Sequence, residues 1–221
     1  MAAIIAASSS DAFGQGVLNE ILKRMDMNNK SLQSLKADVT MVKTNTQLGV
    51  SDTTTGNTQY LTKQKATNNQ MFVRIDWVKP VQEQISVMGD KYELYRPRLN
   101  QVIVGNTAKA KNSASVGGAL GFMSMSKDQL KANYSVVYLG EEQIESGDKT
   151  WHLQLTPKAA SSYKMAELWV DGNGMPLKAK IVEQNDDTNT VMLSNIRKNE
   201  SIKADVFRLS YDKKKVKIIQ A

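Results

Sequence analysis

These 221 residues contain no cysteine and only one histidine, His152. The first absence excludes a disulfide framework, a Cys-based zinc site and a thiol nucleophile. It also excludes a lipid anchor on cysteine within this sequence. A single histidine cannot build a His-rich metal site or most acid–base relays. His152 alternates with Trp151 and Leu153, which puts it on the polar face of a strand, an ordinary surface position for histidine. No segment approaches the roughly 20 apolar residues that a membrane-spanning helix needs. No Walker motif and no Gly-x-Ser-x-Gly elbow occurs. Gly172-Asn173-Gly174 has the look of a phosphate loop, but a strand follows it where such loops require a helix. Glu141-Glu142 and Asp186-Asp187 flank turns and read as solvated acids rather than a glycosidase pair. No cofactor or metal is called for, and the chain does not read as an enzyme.

What is present fits a globular β protein. Hydrophobic residues make up 41% and charged residues 23%, too apolar for disorder. The length suits one large β domain as well as two small ones. No internal repeat or compositional shift marks a boundary. Aromatics are few, at 6%, whereas methionine is abundant at 11 residues, and methionine suits adaptable apolar surfaces as well as core gaps. The net charge of +7 favours anionic partners: nucleic acid, lipid head groups or an acidic protein. The densest basic run, Lys213-Lys214-Lys215, reads as a solvated strand end. Single-strand nucleic-acid binders interleave aromatics with Lys and Arg on one sheet face. Here Trp77 and Trp151 lie among Leu, Ile, Val and Met, so nucleic acid is not the expected partner.

Periodicity organises the rest. Leu18, Ile21, Leu22, Met25, Leu32 and Leu35 recur at spacings of three and four, predicting an amphipathic helix over 17–35 with an interruption near Asn28-Asn29. A first strand follows through Val39 and Met41 toward Leu48, and 51–56 reads as a turn or loop. Alternation then takes over: a weak strand at 60–65, and one at 71–78 that places Met71, Val73, Ile75 and Trp77 on one face. Beyond Pro80 come Ile85 and Val87, a hairpin at Gly89-Asp90, Tyr92 and Leu94, a bend at Pro97 and a strand at 101–105. The stretch 107–133 breaks this rhythm. It carries Phe122, Met123 and Met125, and then Ser126 as the N-cap of a short helix anchored by Leu130. Strands resume at 134–140, 149–156, 164–171, 176–184 and 188–196, with last strands near 206–209 and 216–219. The fold class is therefore mainly β with helices (α+β). An antiparallel sheet places Val73, Ile75, Trp77, Ile85, Val87, Tyr92, Leu94, Trp151, Leu153, Leu155, Leu168, Val170, Leu177, Ala179 and Ile181 on its apolar phase. Such a sheet is a container or a binding surface, and periodicity does not tell a filled barrel from a hollow one.

Particular motifs go further. Leu153-Gln154-Leu155-Thr156-Pro157-Lys158, Glu167-Leu168-Trp169-Val170-Asp171 with Gly174 and Pro176, Val191-Met192-Leu193-Ser194-Asn195-Ile196 and Phe207 resemble the periplasmic outer-membrane lipoprotein carrier family (LolA-like). Tyr95-Arg96-Pro97 and Asn100-Gln101-Val102 match its first half more loosely. The resemblance covers most of the chain from about residue 17. It implies an unclosed antiparallel barrel covered by an N-terminal helix and a helical lid, with acyl chains held in an apolar cavity lined by the strand residues above and by Phe122, Met123, Met125 and Leu130. It also implies periplasmic shuttling of lipoproteins from an inner-membrane releasing complex to an outer-membrane acceptor, by a monomer. The residue reading leaves two alternatives: a carrier or sensor of another lipid, or an envelope interaction domain with a solid core. Residues 1–16 are expected to be a signal remnant or a disordered N-terminus, and 17–221 a single lipid-binding domain. One departure stands out. The family places an Arg-Pro pair, whose Arg latches the lid, shortly before the strand at 71–78. Thr67-Asn68-Asn69-Gln70 occupies that position here, and the nearest cations are Lys63 and Lys65.

Overall fold

The computed structural model describes residues 10–62, 72–106, 121 and 125–221. Helix α1 (Ser10–Ser31) leads into β1 (Ser34–Asn45), β2 (Val50–Leu61), β3 (Phe72–Lys79), β4 (Glu83–Met88), β5 (Lys91–Arg96) and β6 (Gln101–Asn106). Helix α2 (Lys127–Asn133) then precedes β7 (Tyr134–Gln143), β8 (Lys149–Pro157), β9 (Tyr163–Asp171), β10 (Pro176–Glu183), β11 (Thr188–Lys198) and β12 (Lys217–Gln220). All twelve strands form one sheet in the order β12-β6-β5-β4-β3-β2-β1-β11-β10-β9-β8-β7. Ten of the eleven pairings are antiparallel; β12 adds to β6 in parallel. The two edge strands do not pair with each other, so the expected unclosed antiparallel sheet with helical cover is present.

Helix α1 runs unbroken through Asn28-Asn29, and Leu35 belongs to β1 rather than to the helix. Its apolar stripe, Leu18, Ile21, Leu22 and Met25, is buried against one face of the sheet, here called the inner face. Arg24 fixes the approach. Its Nη1 donates to the Gly172 carbonyl oxygen at 2.8 Å, in the turn between β9 and β10. Gly174, two residues on, has φ +84°, and a Cβ there would overlap the backbone of Arg24. Glycine is therefore required twice over, for its left-handed backbone and for the close approach of helix to turn. Gly174→Ala should destabilise the protein by about 3 kcal/mol, seen as a lower urea midpoint with hydrogen exchange rising first in α1. The short helix α2 begins as expected at Ser126, whose Oγ accepts from the Gln129 N–H at 3.2 Å while Gln129 Oε1 accepts from the Ser126 N–H at 2.9 Å. This capping box satisfies two amides that the first turn leaves open. Lys131 Nζ donates to Asn19 Oδ1 at 3.0 Å, tying α2 to α1.

Three local readings are corrected. Residues 51–56 are not a turn but the first half of β2, and Leu48 lies in the turn before it, 73% exposed. The expected strand near 206–209 is a 3-10 turn, Ala204–Phe207. That turn belongs to a segment after β11 that crosses the outer face. Phe207 is buried against Phe72 and Leu61, and its carbonyl accepts from Ser86 Oγ. Arg74 Nη1 donates to the Val206 carbonyl at 2.6 Å. Tyr211 packs on Tyr95 with ring centroids 5.4 Å apart, before β12 reaches the free edge of β6.

Candidate functional site

Cross-strand neighbours in a sheet share a face, so the register lays out the inner face row by row. On the half built from β1 and β8–β11, one row runs Met41, Val191, Ala179, Leu168, Leu153, Tyr138. This half is packed solid. Leu153, Leu155, Leu168 and Val170 are 0% exposed, and Leu177, Ala179, Ile181 and Leu130 are likewise buried in one cluster with the α1 stripe. Trp151 is half-buried at its border, with the Arg24 guanidinium 5.3 Å from the ring centroid. Met125 packs partly against the same cluster.

The other half, β3–β6, differs. One row runs Ala37, Thr58, Ile75, Ile85, Leu94, Ile103, Ile219, and the next Leu35, Tyr60, Val73, Val87, Tyr92, Gly105. Ile75 is buried, but Val73, Ile85, Val87, Tyr92, Leu94 and Ile103 are all only half-buried. The Tyr92 ring lies across Gly105, the position in β6 without a side chain. Burial pushes the Tyr60 hydroxyl above the usual tyrosine value, so this row stays uncharged at neutral pH. The next row changes character: Trp77 is buried, and then Glu83 and Arg96 pair at 3.2 Å. The result is an apolar wall, bounded on one side by the filled core and on another by an ion pair. Such a surface offers burial to an extended hydrocarbon. Phe122 and Met123 lie outside the described residues, as does Met71.

His152 is not the plain surface residue expected. Its ring stacks on Trp169 at 4.3 Å, and Nδ1 and Nε2 each lie 3.0 Å from a carboxylate oxygen, of Glu142 and Glu167 respectively. Both contacts are hydrogen bonds only when the imidazole carries both protons. Trp169 Nε1 donates to Glu142 at 2.8 Å, and Lys178 Nζ sits 4.6 Å from the Trp169 ring centroid. Lys178 also donates to Glu145 at 2.6 Å and holds that carboxyl below the usual carboxylate range. The cluster staples β7–β10 on the outer face, away from the wall. Strand alternation identified the face correctly; the acids that cover it come from neighbouring strands, which a single sequence does not pair. Among the described residues no group of three or more His, Cys, Asp or Glu is placed to hold a metal ion. A cleft of about 400 Å³ between the β1–β2 hairpin and the β10–β11 turn is lined mostly by polar groups, including Lys43, Asp52 and Asp187.

Residues 31–210 match the family model of the outer membrane lipoprotein carrier protein LolA. Among curated proteins none matches. Several solved structures share the fold at low identity. An uncharacterized conserved protein from Thermus thermophilus is 13% identical over 93% of this chain and 99% of that chain, with a TM-score of 0.56. MucB is 14% identical over 89% of this chain but 64% of its own, with a TM-score of 0.57; the Pseudomonas aeruginosa protein is also seen with MucA. The Mycobacterium tuberculosis lipoprotein LppX is 18% identical over 85% of this chain and 99% of that chain, with a TM-score of 0.49. At these identities the likeness to the Thermus thermophilus protein and MucB is one of fold.

Proposed function

The chain belongs to the LolA outer membrane lipoprotein carrier family, and from that premise we propose that it is a non-catalytic periplasmic carrier of lipoprotein acyl chains. It would receive them from an inner-membrane releasing complex and deliver them, as a monomer, to an outer-membrane acceptor. The observation that carries the reading is the division of the inner face. One half is filled by α1, while Val73, Ile85, Val87, Tyr92 and Leu94 form an apolar wall that the described residues leave half-uncovered.

Each acyl CH₂ buried there contributes about 0.8 kcal/mol. A wall that the described residues bound on two sides would hold such chains firmly enough to carry them and loosely enough to hand them on. The acyl contacts are assigned to the β3–β6 residues, with Trp77 at the border of the wall; Trp151, on β8, belongs to the edge of the filled half. Leu153, Leu155, Leu168, Val170, Leu177, Ile181 and Leu130 support the wall from the core beside it.

Native mass spectrometry of gently purified protein is the direct test. The expected result is a bound acylated polypeptide, or uptake of one after delipidation. A bound glycolipid or free fatty acid would instead assign the second reading, carriage of another lipid. Protein that is bare and fails to take up a fluorescent acyl probe would reject both.

A further inference from the structure

The strand directions place every turn at one of two ends of the sheet. The β1–β2, β3–β4 and β5–β6 turns and the start of β12 all fall at the same end. That end gathers most of the large exposed apolar side chains among the described residues. Leu48 is 73% exposed, Val50 53%, Val78 48%, Val81 37%, Leu99 60% and Ile218 51%. Val78, Val81, Leu99 and Ile218 belong to neighbouring strands and their turns, so they form one rim rather than scattered singles, with Leu48 and Val50 standing beyond it on the β1–β2 arm; a rim of this kind marks an interaction site. The Gly89-Asp90 and Gly172–Met175 turns, at the opposite end, carry no such residue.

Charge says what the rim meets. From Arg197 onward the sequence has eight Lys or Arg against three Asp or Glu, five of the chain's surplus of seven positive charges. The segment over the outer face delivers the densest part of that charge to this rim: the Lys217 N–H donates to the Asn100 carbonyl at 2.7 Å, beside Leu99. Lys213, Lys214 and Lys217 are exposed, as are Lys79 and Arg98 on the two adjacent turns. Of the acids nearby, Glu83 pairs with Arg96 and Asp212 with Lys215, while Asp52 is exposed on the β1–β2 arm. The β10–β11 turn, with Asp186 and Asp187, is acidic and is bonded to the β1–β2 turn through Thr46, so the basic apolar surface runs from the β3–β4 turn to β12 and stops short of the β1–β2 tip.

We propose that this rim docks on an anionic phospholipid bilayer, with Val81, Leu99 and Ile218 entering the interface and Lys79, Arg98 and Lys213–Lys217 lying at the head groups. Apolar tips interspersed with cations suit that surface, since the cations are drawn to head groups and the side chains between them are buried by the acyl boundary. An acidic protein would be recognised by the charges alone and would leave the apolar tips in water. The inference does not rest on acyl carriage, because the rim residues are distinct from the wall residues.

Co-flotation of the full chain with vesicles tests it. One vesicle set is phosphatidylcholine alone, and the other has phosphatidylglycerol added. Binding is expected only to the anionic set and should weaken as salt rises. Each cation at such a surface contributes about fivefold, so Lys213→Gln, Lys214→Gln and Lys217→Gln together should weaken binding about 100-fold. Leu99→Ser with Ile218→Ser should weaken it about tenfold or more, an effect that persists at raised salt. Val137→Ser with Leu139→Ser, on the exposed face of β7, should change nothing. All these positions are exposed, so thermal melts should match the parent, and occupancy by a fluorescent acyl probe should be retained in every variant. The proposal is overturned if the parent ignores anionic vesicles at low salt, if either rim set binds like the parent, or if the β7 pair weakens binding as much as the rim sets.

Discussion

Leu153→Glu should not fold. Leu153 is 0% exposed at the centre of the row Met41, Val191, Ala179, Leu168, Leu153, Tyr138, beneath the α1 stripe. Loss of the packed side chain alone costs about 2–5 kcal/mol. A carboxylate placed there meets apolar neighbours and no cation, which adds several kcal/mol unless it is protonated. Together these are comparable with the total stability of a typical domain, about 5–15 kcal/mol. The expected observation is loss of cooperative unfolding by circular dichroism, with the protein recovered mainly as aggregate. Leu153→Ala, without the charge, should fold and lose about 3 kcal/mol in urea titration. A soluble, cooperatively folded Leu153→Glu that has merely lost lipid binding would show that the hollow lies on the α1 side, contrary to the division described above.

That division is the part of the site which periodicity does not carry. Leu153 and Leu94 look alike in sequence: each is an apolar residue on the inner phase of an alternating strand. What separates them is which strands the helix covers, and helix placement is a tertiary fact. Alternation did identify the inner face of β3, where Val73, Ile75 and Trp77 line up opposite Phe72 and Arg74, because a half-buried strand with two different faces writes its phase into the sequence. It failed for β2, whose Ser51-Asp52-Thr53-Thr54-Thr55-Gly56 is polar on both faces. That hairpin arm extends past the end of β3, beyond the pairing of Thr55 with Lys79, and has no core to face there. The run of threonines was the available signal, since β-branched residues favour strands even where nothing is buried. The segment across the outer face was equally hidden. Phe207 and Tyr211 are isolated aromatics in a polar stretch, and only the fold brings Phe72, Ser86 and Tyr95 beneath them.

The counterpart to Leu153 is Leu94→Glu, which should fold normally and bind acyl chains about 100-fold more weakly or worse. Leu94 sits on β5 between Ile85 and Ile103 and is only half-buried. A glutamate there can keep its carboxylate hydrated in the free protein, so the stability cost should be about 1 kcal/mol and the thermal midpoint should fall by only a few degrees. Binding is another matter. A hydrocarbon chain laid along the wall would have to strip water from that carboxylate, at a cost of several kcal/mol, and Arg96, two residues on along the same face of β5, is already paired with Glu83. The same free energy that Leu153→Glu takes from folding is therefore taken from binding by Leu94→Glu. Titration of a fluorescent acyl probe into each folded variant, with Leu94→Met as the volume-conserving control, measures it. Leu94→Met should bind within about threefold of the parent. Binding by Leu94→Glu at parental affinity would remove β5 from the acyl site and, with it, the reading of the β3–β6 wall as the cargo surface.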